Sequence, residues 1–356
     1  MGRYIEVLKS NIKYNFSQRE VKIILDDLKN NNLITYNKKC LEENKTIIYI
    51  ENSLDCKERL LYALEKSNKV VERIEDYLIN KVYRYSIYFK CEDFKKKKEV
   101  LKSEEDNYVV FDDIGDSIEK EEFDSRKIVI KENEDVILFR FLIEIEISVH
   151  QIKGYPKVYY PTLWIYHKKL KVLEYRFDSI GAENDDDFYD SRMNGQHAKL
   201  TKSYDAKIKE YRLAQKIKQI VEEVNEVKET AQSMGLKQNS LAKLKVGTNN
   251  VMPLIGDLEE FICDYDALFN ANNETEKIKE QLEKFIGGIK RNAKYKARTL
   301  TWYEKDKSIL DIQVLFDYKG KSYDLLNFQN PKKINGSMMN YAINYITKIG
   351  EDVEQG

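Results

Sequence analysis

Three short stretches carry residues whose types and spacing could do chemistry. The densest carboxylates lie in "RFDSIGAENDDDFYDSRMNGQH", where Asp178, Glu183, Asp185, Asp186, Asp187 and Asp190 precede His197. Several oxygens on a loop suit a hard cation such as Mg²⁺ or Ca²⁺. The spacing matches no EF-hand, and the nearby Glu174-Tyr-Arg176 lacks the lysine of a D…(D/E)xK nuclease motif. A solvated acidic loop between sheet and helices is the simpler reading, with a metal-dependent nuclease as the catalytic alternative. No GxGxxG, Walker A, GxSxG or HExxH occurs, so no cofactor or metal is expected and the motifs lean away from an enzyme.

The second stretch is "GGIKRNAKYKARTLTWYEK", in which Lys290, Arg291, Lys294, Lys296 and Arg298 interleave with Tyr295, Trp302 and Tyr303. Cations hold phosphates while aromatic faces stack on unpaired bases, so this is a candidate nucleic-acid surface. The same residues also read as a helix end whose cations complement the dipole, followed by a strand whose aromatics face a core.

The third is "FSQREVKIILDDLKNNNLITY". Ser17 and Glu20 stand in capping-box register, Val21, Ile24, Leu25 and Leu28 share one side, and Gln18, Arg19, Lys22, Asp26 and Lys29 lie elsewhere. A strand "LITYN", a polar turn "KKCLEENK" and a strand "TIIYIE" follow. Over roughly the first fifty residues the chain thus resembles the recognition helix and wing of winged helix-turn-helix proteins. That resemblance implies DNA contact through Arg19 and Lys22, which lie nearest the helix end that usually meets bases. A winged fold used for protein contact has the same sequence pattern. Arg192 and His197 also fit the R-x4-6-H pattern of HEPN ribonucleases, although Gly195 and its neighbours read as a loop.

The elements that must position these residues follow an α+β order with no βαβ rhythm. Residues 1–54 form the winged-helix-like module, and residues 55–204 a helix plus a central antiparallel sheet. In the latter, residues 55–81 read as one long amphipathic helix, and strands follow from Val82 to Asp178 with a Tyr-rich face. Residues 205–297 read as a helical insertion, with Ile217, Ile220, Val224, Val227, Ala231 and Met234 forming a short coiled-coil-like seam. Two further helices are marked by Leu254, Leu258, Phe261, Ile262 and Tyr265, and by Ile278, Leu282, Phe285, Ile286 and Ile289, the latter capped by Asn273. Residues 298–356 read as strands and a closing helix that return to the central sheet, because three short strands alone make a poor core.

Composition bounds the function. The chain has 356 residues, 42% of them hydrophobic and 34% charged, which is globular and ample for several domains. Lys and Arg number 60 against 61 Asp and Glu, so any nucleic-acid site must be local. The longest apolar stretch, "VILFRFLIEIEISV", is broken by Arg140, Glu144 and Glu146 and cannot span a bilayer. The first residues lack a signal-peptide core, and Cys40, Cys56, Cys91 and Cys263 form neither a CxxC pair nor a disulfide ladder, which together point to the cytoplasm. Abundant Lys, Asn, Ile and Tyr read as an AT-rich genome, that of a low-GC bacterium or its mobile elements. The leading expectation is a DNA-binding or DNA-sensing protein, with an antiviral defence system as its candidate setting. The alternative is a non-catalytic assembly subunit that docks a protein partner, or a second copy, through residues 205–291.

Overall fold

The computed structural model describes residues 3–39, 46–120, 123–124, 126–147, 155–180, 186–223, 227–235, 241–245, 253–292, 294–304, 307–330 and 336–348. Helices and antiparallel strands mix as an α+β protein in two compact units, Met1–Tyr83 with Phe89–Lys209, and Arg84–Tyr88 with Glu210–Gly356.

The first unit opens with α1 (Arg3–Tyr14), α2 (Gln18–Asn30), β1 (Ile34–Thr35), β2 (Ile48–Tyr49), α3 (Cys56–Lys66) and α4 (Lys69–Asn80). Ser17 caps α2 as its sequence expects: Glu20 N–H donates to Ser17 Oγ, and Ser17 N–H donates to Glu20 Oε2 at 2.9 Å. Val21, Ile24, Leu25 and Leu28 are buried in one core with residues of α1, α3 and α4. Two expectations fail here. The segment after α2 is no hairpin: β1 and β2 run parallel, Ile34 opposite Ile48, and parallel strands need a crossover in place of a tight turn. Nor is residues 55–81 one helix. It breaks at Ser67, whose extended backbone ends α3, while Asp55 caps α3 in a capping box with Glu58.

The sheet of this unit comprises the second half of β3 (Tyr85–Lys96), then β4 (Tyr108–Val110), β5 (Ile128–Glu132), β6 (Val136–Glu146), β7 (Lys157–His167), β8 (Val172–Phe177) and β9 (Tyr204–Glu210). Two short helices, α5 (Lys102–Glu105) and α6 (Ile114–Glu119), interrupt it, and α7 (Asp186–Ser203) precedes β9. The run β5-β6-β7-β8 is antiparallel, and β4 pairs with β5 in parallel. Alternation sorts the side chains onto two faces. One is aromatic: Phe139 opposes Trp164, Trp164 opposes Tyr175, and Phe94 stacks on Tyr166 and Tyr204. Helix α7 lies on this face, where Gln196 Oε1 accepts from Thr162 Oγ1 at 2.9 Å and from Trp164 Nε1 at 3.1 Å.

The opposite face carries Val129, Leu138 and Leu142 into the core formed by α1 to α4, with Arg140 among them. Arg140 and Glu75 of α4 are fully buried, with Nη2 2.7 Å and Nε 2.9 Å from Glu75 Oε2, and the Tyr4 hydroxyl of α1 also donates to Glu75. Burial, the largest influence on Arg140, opposes its charge, yet the facing Glu75 carboxylate holds its pKa raised. Asn11 of α1 completes the docking. It bonds both backbone groups of Tyr159, which lies beyond the stretch of β7 that β8 pairs.

The second unit contains α8 (Ala214–Glu223), β10 (Val227–Gly235), β11 (Leu241–Lys245), α9 (Pro253–Asp264), α10 (Asp266–Phe269), α11 (Asn273–Asn292), β12 (Lys294–Glu304), β13 (Lys307–Leu315), β14 (Leu325–Gln329) and α12 (Gly336–Lys348). Its strands pair antiparallel in the order β11-β10-β12-β13-β14, and β14 continues onto Tyr85–Ile87, the opening residues of β3. The helical seam is corrected: Ile217 and Ile220 lie on α8, Val224 lies outside the described residues, and Val227–Gly235 is a strand. Val227, Ala231 and Met234 satisfy helical spacing as well as a bulged strand, so periodicity alone could not separate the two. The cap of α11 is also one residue earlier than expected, since Asn272 Oδ1 accepts from Glu274 N–H and Thr275 N–H.

Removing one member of a buried pair leaves an uncompensated charge, so Glu75→Ala should cost about 3–5 kcal/mol of unfolding free energy, read by urea denaturation. The double variant Glu75→Leu/Arg140→Met should recover most of that loss. A cost for Glu75→Ala near zero would mean that the pair does not hold the helices to the sheet.

Candidate functional site

On α2 the exposed residues Arg19, Lys22, Asp26 and Lys29 fall on one stripe at steps of three and four, opposite the buried residues. Helix α1 and the link Asn15–Ser17 precede α2. Asp27 is not a bare charge: Arg73 of α4 grips it in a bidentate pair at 2.6 and 2.7 Å. This pair and the Leu28 side of the helix leave Arg19 and Lys22 outward. Without the expected hairpin, the wing of the winged-helix resemblance is absent among the described residues.

The patch from Lys290 to Trp302 does not assemble. Lys290 and Arg291 end α11 and Lys294 begins β12, but their side chains lie outside the described residues. Lys296 is exposed. Arg298 is only 2% exposed and grips Glu229 of β10 through Nε at 2.6 Å and Nη2 at 2.7 Å, with Gln232 Nε2 on the same carboxylate. Trp302 is 1% exposed and packs edge-on to Tyr345 of α12. Both residues thus belong to the interior, because β12 is a central strand paired on both edges. Neither can meet a nucleic acid. The aromatic and cationic alternation of this stretch was a strand pattern.

The acidic segment is likewise reassigned. Asp178 pairs with Lys81 at 2.7 Å, Glu183 and Asp185 lie outside the described residues, and Asp186 to Asp190 begin α7. Among the described residues no three His, Cys, Asp or Glu side chains come together as a metal site. Arg192 and His197 lie on a helix, not on the expected loop, and they diverge. Arg192 is exposed over the Phe188 ring, whereas His197 turns to Trp164, and burial lowers its pKa.

A cluster that the sequence did not assemble sits on the helix-facing side of the first sheet. Glu174 accepts from Arg176 Nε at 2.7 Å and Nη2 at 2.8 Å, and lies 2.9 Å from His167 Nε2. Cross-strand register places Glu174 opposite Ile165, with His167 two residues farther along. An arginine-clamped carboxylate that orients an imidazole is also half of a hydrolytic triad. Here it is enclosed, with all three side chains buried, so it braces the β7–β8 hairpin.

The outward-facing feature of the second unit is the helical hairpin of α9, α10 and α11. Ile262 and Ile286 are buried between its helices, with Leu258, Phe269, Leu282 and Tyr295 packed against them. Phe261, Tyr265, Leu268, Ile278 and Phe285 point away and are between 47% and 64% exposed. The first three follow steps of four and three, and the last two are seven apart, so each arm of the hairpin carries an outer apolar stripe. Sequence periodicity identified all of these residues but Leu268 as helix-forming and could not separate the inner from the outer stripe. Between the arms lies a cleft of about 400 Å³ with Ile262 and Ile286 among its walls and Glu259, Asp266, Lys279 and Glu283 around them.

Glu174 supplies the pH test of the buried cluster. Burial, the largest single influence, raises its pKa, but Arg176 and His167 together bring it down to about 2. A carboxylate depressed on folding stabilises above its unfolded pKa, about 4.3, and that contribution disappears as pH falls toward 2. Melting temperature should therefore drop through this window, and Glu174→Gln should flatten the drop while lowering stability at neutral pH. Identical slopes for both proteins would contradict the assignment.

No family model matches this chain, and the curated proteins contain no significant match to it.

Proposed function

We propose that the chain is a non-catalytic binding protein, a subunit that docks a protein partner through the helical hairpin Pro253–Asn292. The observation that carries this reading is the outer apolar stripe on both arms. Large apolar side chains gathered on one surface element of a folded chain mark interaction sites. The hydrophobic hairpin interior is small, so a covering partner would complete the core that two arms alone leave thin. No helix of the described residues is long and apolar enough to cross a membrane. Incorporation of a photo-crosslinking amino acid at Leu268 in cells should give a discrete adduct, while the same group at exposed Lys96 should not. Absence of an adduct at Leu268 would remove the docking reading.

A second reading, DNA contact by α2, is favoured by the exposure of Arg19 and Lys22 on one stripe of that helix. It requires a salt-sensitive shift of duplex DNA. Arg19→Glu/Lys22→Glu should abolish that shift and leave the melting temperature nearly unchanged, since surface substitutions move stability by about 0.5 kcal/mol or less. Lack of any shift by the unmodified chain at low salt would end this reading.

A further inference from the structure

We propose that the occupant of the hairpin is a basic amphipathic helix of a partner protein, an inference that rests on the docking reading and specifies its chemistry. From Asp257 to Phe285 the chain carries nine carboxylates against three lysines, a net charge of −6 in a protein whose total is −1. The rest of the chain is correspondingly positive. The apolar stripes of the hairpin are therefore set in a strongly acidic surround.

That charge decides among occupants. An isologous pairing of two such acidic stretches would place −6 against −6 across an interface, where like charges oppose association. A membrane surface bearing anionic lipid attracts helices with a basic polar face, the reverse of this one. Nucleic acid is repelled for the same reason. A helix with an apolar stripe and a lysine- or arginine-rich polar face satisfies both features, by the helix-in-groove mode in which stripes at i, i+3, i+4 and i+7 anchor the contact.

The cleft shows the same preference from inside. Lys279 Nζ already sits 2.6 Å from Asp266 Oδ1 and 3.9 Å from Glu283 Oε1, so the cleft already holds one ammonium from its own chain. The Asp266 hydrogen bond raises the Lys279 pKa. Glu259 and Glu283, with Ile262 and Ile286 beside them, suit the long stem and charged head of a partner lysine or arginine.

The test uses the full chain and three labelled helical peptides of equal length with one common leucine stripe. Their polar faces are built from lysine, glutamine or glutamate. Fluorescence anisotropy should show the lysine peptide binding at least tenfold more tightly than the glutamate peptide, with the gap narrowing in high salt. Leu268→Ser/Phe285→Ser should weaken binding tenfold or more, and Glu259→Lys/Glu283→Lys should narrow the gap between the lysine and glutamate peptides. Equal binding of all three peptides would overturn the basic partner while leaving the docking reading standing. No binding of any peptide, with the Leu268 adduct still formed in cells, would overturn the helical occupant. Self-association seen by light scattering and lost in Leu268→Ser/Phe285→Ser would make a second copy the occupant and overturn the proposal.

Discussion

The buried ion pair between Glu75 and Arg140 is the constraint on which the first unit depends. Two charges leave water only when each finds the other at short range, and here both are sealed, with Tyr4 hydrogen-bonded to the same carboxylate. The pair fixes α4 over β6 and draws α1 in with it. Arg73, two residues before Glu75 on α4, then holds Asp27 of α2. The orientation of the Arg19 and Lys22 face follows from this chain of contacts, from sheet to α4 to α2.

A second buried pair performs the same task in the other unit. Arg298 and Glu229 join neighbouring strands β12 and β10 from within the sheet. With Glu174, Arg176 and His167 in the first unit, the charged residues that look most chemical in the sequence are largely structural. Such clusters select one register among several, since a one-residue slip would bury each charge without its partner. The surface shows the converse. Apolar side chains that periodicity assigns to a core stand outside on the helical hairpin.

Local signals are legible in the sequence. The capping box of Ser17 and Glu20, the burial of Val21, Ile24, Leu25 and Leu28, and the strands of the sheet were legible because capping and alternation are short-range patterns. Contacts set by long-range packing were not legible. The direction of β2 relative to β1, the break at Ser67 and the strand from Val227 depend on neighbours distant in sequence. The same limit applied to the candidate site. Arg298 looked like a phosphate ligand until Glu229 lay beside it, and no short window of sequence distinguishes Phe261 from Ile262 in exposure.

The exposed hairpin is the feature with the clearest consequence, because the proposed docking rests on it. Its uncovered state is measurable directly by hydroxyl-radical footprinting of the purified chain, with oxidation read residue by residue by mass spectrometry. Phe261, Tyr265 and Phe285 should be oxidised rapidly, while Ile262 and Ile286 on the inner stripe stay protected. Protection of Phe261 and Phe285 equal to that of Ile262 and Ile286 would show the stripe already covered, and would contradict a docking surface.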